Sequence, residues 1–241
     1  MAFQKIVDVV KFGSKNAVRT FLAPGAIRAL REEAAKIKTI EQAVALAADF
    51  SYKRIQIAPA QVTSEITALL KLLAEKPPRT LLEIGAYKGG TFFLFSRVAT
   101  PDALLINLDL PNTLTGYGTP PWRARLYHSF AREHQRIELV AGNSHLKVTA
   151  DRIKQLLAGR PLDFLFIDGD HSYEGVKADF ELYSPFVAKG GLIGFHDIVP
   201  NKPGLEFGVP QFWQELKKTR QAMEFVADWK QGAYGIGVLR A

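Results

Sequence analysis

Apolar positions fall into two regimes along the chain. Through residue 75 or so they recur at helical spacing. Phe3, Ile6, Val7 and Val10 share one face near the start, and Val62, Ile66, Leu69, Leu70 and Leu73 share one face of a helix over 61–74. Pro24-Gly25 marks a break between helices, with two further helices over 26–37 and 40–50. From Thr80 onward short apolar runs take over, giving strands at 80–84, 104–108, 137–141, 162–167 and 191–195. Helices over 91–98, 146–157 and 173–186 alternate with them. A helix over 210–218 precedes two closely spaced strands, 225–228 and 234–239.

Strands of this kind alternating with helices build a mostly parallel sheet covered on both faces. The last two strands are joined by too few residues for a helical crossover, so they pair antiparallel at one edge. The expected fold is therefore α/β and Rossmann-like: a seven-stranded, mostly parallel sheet with an antiparallel last strand and extra N-terminal helices. Residues 1–60 are expected to form a helical extension and 61–241 the main domain.

Composition removes several classes. With 47% hydrophobic and 23% charged residues the chain can bury a core, and with no cysteine it has neither disulfides nor thiolate metal sites. No apolar run approaches the roughly 20 residues of a membrane span. Lys5, Asp8 and Lys11 break the start as a secretory signal, which points to the cytoplasm. The formal charge is +7, but the basic residues are scattered and form no nucleic-acid module, so no nucleic-acid partner is expected. The basic, apolar-faced N-terminal helices would suit peripheral membrane contact or a homo-oligomer interface.

Ligands of open α/β sheets bind beyond the carboxyl ends of the strands. The first such end reads Glu83-Ile84-Gly85-Ala86-Tyr87-Lys88-Gly89-Gly90-Thr91. Its Gly-x-x-x-Gly-Gly spacing differs from the Gly-x-Gly-x-x-Gly of dinucleotide sites, which disfavours a pyrophosphate clamp and a nicotinamide-dependent dehydrogenase. The second strand ends in Asp109, an acid able to accept hydrogen bonds from both ribose hydroxyls of a nucleoside. Gly142-Asn143-Ser144 after the third suits an adenine edge.

The fourth strand delivers Asp168, with Asp170 and His171 just beyond, and the fifth delivers His196-Asp197. If these strands are neighbours, Asp168, His196 and Asp197 converge on one divalent cation, magnesium or manganese among the candidates. His171, whose imidazole titrates near neutral pH, is the candidate base. The insertion 111–136 offers Tyr117, Trp122, Tyr127, His128 and His134 as an acceptor pocket or lid, or as aromatic packing.

The run Leu82 to Thr91 resembles the first motif of catechol-type O-methyltransferases. Later segments are similar to macrolide-sugar O-methyltransferases and cephalosporin-pathway methyltransferase-like proteins, over roughly Gln61 to Leu239. The resemblance makes 61–241 a class I S-adenosylmethionine-binding methyltransferase domain. It implies cofactor contacts from Glu83, Gly85, Tyr87, Gly89, Thr91 and Asp168, ribose binding by Asp109 and adenine contact near Ser144. It also implies a metal held by Asp168, His196 and Asp197, with His171 as base. His196 departs from those relatives, which carry an acid there. The implied activity is O-methylation of a small polar acceptor, such as a sugar or glycosylated metabolite. A cofactor-binding protein of the same fold, with no chemistry or another one, is the alternative.

Overall fold

The computed structural model describes residues 2–111 and 119–241, with side chains from residue 15 onward. Gly116, Tyr117 and Gly118 of the insertion lie outside the described residues. The N-terminal part holds helices α1 (Ala2–Ala34) and α2 (Ile40–Asp49), a small hairpin β1 (Ser51–Tyr52) and β2 (Ile55–Gln56), then α3 (Thr63–Glu75). Next come β3 (Thr80–Ile84), α4 (Gly90–Val98), β4 (Leu104–Asp109), α5 (Pro121–His128) and β5 (Arg136–Ala141). They are followed by α6 (Lys147–Leu157), β6 (Leu162–Ile167), α7 (Tyr173–Tyr183), β7 (Val187–His196), α8 (Val209–Leu216), β8 (Ala222–Phe225) and β9 (Ile236–Arg240).

Strands β3 to β9 form a seven-stranded sheet in the order β5-β4-β3-β6-β7-β9-β8. The pairings β4–β5, β3–β4, β3–β6 and β6–β7 are parallel, and β9 runs antiparallel between β7 and β8. The expected architecture is therefore present. Alternate strand residues feed opposite faces. Leu81, Leu105, Phe164 and Phe166 pack with α2, α3 and α4, whereas Leu82, Ile106, Leu165 and Ile193 pack with α6, α7 and α8. Phe95 of α4 meets Phe164 and Phe166 edge-on at 5.3 and 5.2 Å, fixing that helix on the sheet.

Three local expectations are corrected. Pro24-Gly25 does not break the chain into two helices, because α1 runs through it. An internal proline costs about 3 kcal/mol, yet Ala23, Ala26 and Leu30 bury one continuous stripe on both sides of it. The Tyr52 ring packs where a side chain on Gly25 would stand. The penultimate strand is 222–225 rather than 225–228, and the last starts at Ile236 rather than Tyr234. Residues 227–235 are instead held as a loop by buried carboxyl groups, described below. The hairpin over 51–56 had no distinct pattern to reveal it.

Candidate functional site

Pairing in register places the tips Ile84, Leu108, Ile167 and Phe195 side by side. Two cavities open there. One, of about 640 Å³, is lined by Gly85, Tyr87, Asp109, Ser144 and Asp168, together with His145. The other, of about 400 Å³, is lined by Gln61, Thr91, His196, Asp197 and Phe207 among others. Asp168, His171 and the segment Gly85 to Lys88 line both.

The glycine turn is shaped by close approach. Gly85 sits at φ +92°, and a Cβ on it would fall on the Asp168 carbonyl oxygen. Its N–H donates to Leu108 O at 2.9 Å, while the Asp168 N–H donates to Ile84 O at 2.9 Å, so the three strand tips are stitched together. The Tyr87 carbonyl accepts from Arg123 at 2.8 Å and from the Tyr127 hydroxyl at 3.2 Å. Tyr127 and Trp122 are themselves buried, so these aromatics of the insertion pack the body rather than line either cavity.

Not every anticipated cofactor residue reaches the larger cavity. Thr91 faces the smaller one, where its hydroxyl donates to Gln61 Oε1 at 2.5 Å. Gly89 lines neither and leaves room for the Tyr127 ring. Glu83 is buried behind the tips and accepts from Asn107 Nδ2, directly across the β3–β4 ladder, at 2.7 Å. Burial, reinforced by the Asp168 charge, pushes its carboxyl well above the ordinary range. Asp109 turns one oxygen to the Leu110 N–H and the other to Thr119 Oγ1, and burial raises it as well.

Two carboxylates and two imidazoles meet where the cavities join. His171 Nε2 lies 3.1 Å from Asp197 Oδ2 and 3.6 Å from Asp168 Oδ1. His196 Nδ1 lies 3.1 Å from Asp168 Oδ1 and 3.3 Å from Asp197 Oδ2. Hydrogen bonds that His171 donates to Asp168 and Asp197 raise its ring to about 9. Burial opposes the charge on His196, but the same two carboxylates outweigh it and lift the ring to about 10. Burial likewise works against ionised Asp168 and Asp197, and the two imidazoles hold both below the usual carboxylate range.

Among the described residues the trio whose ligand atoms all lie within 4.8 Å of one another is Asp168, His171 and Asp197. From the sequence the expected third ligand is His196, whose Nδ1 also lies 3.1 and 3.3 Å from the same two carboxylates. His196 approaches the carboxylates from the buried side, and among the described residues its Nε2 has no hydrogen-bond partner. Asp197 holds the left-handed conformation at φ +62°, which aspartate tolerates better than most side chains and which clusters at functional sites. Its Oδ1 accepts the Tyr234 N–H at 2.9 Å, which turns Oδ2 toward the imidazoles.

Two residues that the sequence does not mark as site residues, Gln61 and Glu65, hold this arrangement. Gln61 Nε2 donates to Asp168 Oδ2 at 2.7 Å, leaving Oδ1 for the histidines, so Thr91, Gln61 and Asp168 form one chain of hydrogen bonds. Glu65, one helical turn later, accepts from Ala227 N, Gln231 Nε2 and Gly235 N at 2.8–2.9 Å. That carboxyl group is 2% exposed and pins the loop carrying Gln231, Ala233 and Tyr234 against the smaller cavity. Glu65→Ala orphans three donors and is expected to cost about 3 kcal/mol or more in urea unfolding. A loss under about 1 kcal/mol would mean that the loop is held by other contacts.

Asp179 of α7 lies beneath the larger cavity, fully buried, 3.6 Å from His145 Nε2. Among the described residues neither carboxyl oxygen has a well-formed hydrogen bond, and burial, opposed by the nearby Ser144 hydroxyl, raises the group to about 6. A carboxyl raised in the folded state binds its proton more tightly there than in the unfolded chain. Its stabilising contribution is complete below the unfolded value and is lost as pH climbs through about 6. Asp179→Asn should therefore flatten the fall in unfolding free energy between about pH 4 and pH 6. An unchanged slope would place that pH dependence elsewhere.

Comparison with known proteins follows the same lines. Residues 82–198 match the family model described as a methyltransferase domain. An uncharacterised protein of Sinorhizobium fredii is 28% identical over 168 residues, 67% of this chain and 17% of that protein. The chain spans 53% of the length of a second curated relative. The O-methyltransferase TomG of Streptomyces achromogenes, in complex with S-adenosylmethionine, superposes with a TM-score of 0.54 at 17% identity, over 86% of this chain and 91% of that one. An O-methyltransferase of Bacillus cereus, in complex with S-adenosylhomocysteine, gives 0.53 at 19% identity, over 93% and 97%. At these identities the structural likenesses establish the fold. The domain match bears out the resemblance to methyltransferases read from the sequence.

Proposed function

We propose that this chain, whose residues 82–198 match a methyltransferase domain, transfers the methyl group of S-adenosylmethionine to a hydroxyl of a small acceptor. The observation that carries the reading is the meeting of two cavities at Asp168 and His171. The larger suits the nucleoside, with the ribose on Asp109 and the adenine at Gly142 to His145. The smaller suits the acceptor.

Methyl transfer to oxygen is an in-line displacement with a good sulfonium leaving group. The protein's share is to align the acceptor and take its proton. His171 is the candidate base: its ring stacks on Phe207 at 4.6 Å, and both residues line the acceptor cavity. Phe207, Tyr87 and Tyr234 give that cavity flat walls suited to a ring-shaped acceptor, sugar or aryl.

The donor set of two carboxylates and an imidazole fits a divalent cation. Asp168 and Asp197 would hold it, joined by His196 on the assignment made from sequence. Such an ion, when bound, supplies charge that lowers the pKa of the acceptor hydroxyl. With both carboxylates engaged in that way, His171 would lose the support that favours its protonated ring, and its Nε2 would be the atom to accept the hydroxyl proton.

The test is formation of S-adenosylhomocysteine from a panel of small sugar and aryl hydroxyl compounds, with manganese or with chelator. Turnover that manganese raises and chelator removes is expected. Tight cofactor binding with no turnover across the panel would favour the alternative, a cofactor-binding protein without transfer activity.

A further inference from the structure

At the far end of α4 from the glycine turn lies another cavity, of about 560 Å³, between the last turns of α1, the end of α4 and residues 129–133. We propose that it binds a phosphate group carried on a small organic molecule, separately from the methyl-transfer site.

Arg31, Arg97 and Arg132 all line it. Arg97 donates to Ser96 Oγ at 3.0 Å and to the Phe130 carbonyl. Arg132 donates to the carbonyls of Ser96 and Ala99 at 3.0 Å each. All of these acceptors are neutral. They satisfy N–H groups at two helix ends, and the partial charge of a helix C-terminus offsets only part of a full positive charge. Among the described residues none of the three arginines forms an ion pair. The single acid lining the cavity is the exposed Glu133.

A partly buried guanidinium without a counter-charge is costly, and a dianion in reach of two or three of them recovers that cost through charge-assisted hydrogen bonds. Burial, with the neighbouring Arg132 charge, pulls Arg97 down to about 9, in keeping with an unmet charge. The Nη1 groups of Arg97 and Arg132 donate to no described protein atom, and neither does the Arg31 guanidinium. Apart from Ser129 the rest of the wall is apolar, with Leu30, Phe93 and Ala131, which suits an organic body attached to the phosphate.

The experiment is calorimetric titration of the whole chain with phenyl phosphate and with inorganic phosphate, repeated on Arg31→Gln. Arg31 is exposed and holds no side-chain contact that folding requires, so the variant should fold and should bind S-adenosylhomocysteine as the parent does. Phenyl phosphate is expected to bind more tightly than inorganic phosphate, and Arg31→Gln to weaken it about tenfold, the worth of one charge-assisted hydrogen bond. Any of three results overturns the proposal: no saturable binding at millimolar concentration, binding that Arg31→Gln leaves unchanged, or binding that S-adenosylhomocysteine displaces. Equal affinity for the two phosphates would overturn the organic part of it.

Discussion

His171→Ala is expected to lower methyl transfer by about 10²- to 10⁴-fold, the range typical of a removed general base, while S-adenosylhomocysteine still binds. The ring meets the site through Nε2, which faces Asp168 and Asp197 and stacks on Phe207 at the cavity junction. Removing it leaves Gly85, Asp109 and Ser144 untouched, so the cofactor crevice should persist. The same variant separates two roles for the imidazole. If His171 acts as base, manganese affinity measured by electron paramagnetic resonance should be little changed. If it completes the trio with Asp168 and Asp197, manganese affinity should fall with turnover. Near-normal turnover would exclude both.

Gly85→Ala should be the most damaging single methyl group in the cofactor crevice. A left-handed residue with a side chain costs roughly 1–2 kcal/mol on its own. Here the added carbon would also strike the Asp168 carbonyl and push apart the tips of β3 and β6. Affinity for S-adenosylhomocysteine is expected to fall at least about 100-fold, equivalent to about 2.7 kcal/mol, with a lower melting temperature. Gly159 supplies the control: it too has positive φ, +81°, but nothing lies within 4 Å of its would-be Cβ. Gly159→Ala should show the backbone cost without the loss of binding. If the two variants bind the cofactor alike, the close approach at Gly85 has no functional weight.

The strand tips were legible because each is a short apolar run ending in a polar or glycine residue, a pattern local to the chain. Gly85, Asp109, Ser144 and Asp168 could be ordered along the sheet edge from that pattern alone, and they line one cavity. That His171 meets the two carboxylates from the cavity and His196 from the buried side was not legible. It depends on the left-handed turn at Asp197 and on which imidazole edge the Tyr234 loop leaves exposed. Glu83 reads like a strand-end ligand, yet Asn107 sits opposite it in register and captures its carboxyl. Gln61 and Glu65 resembled the polar start of any amphipathic helix. Their partners Asp168 and Gly235 lie 107 and 170 residues away, a distance that no periodicity can bridge. Both also fall outside the matched stretch 82–198, so the smaller cavity is shaped by residues that the domain match does not cover.

The most direct measurement is a crystal structure of the chain grown with S-adenosylhomocysteine and manganese. The ribose should rest on Asp109, the adenine against Gly142 to His145 and the sulfur toward the junction of Asp168 and His171, with the metal among the carboxylates. A nucleoside bound elsewhere, or a sulfur turned away from that junction, would contradict the account.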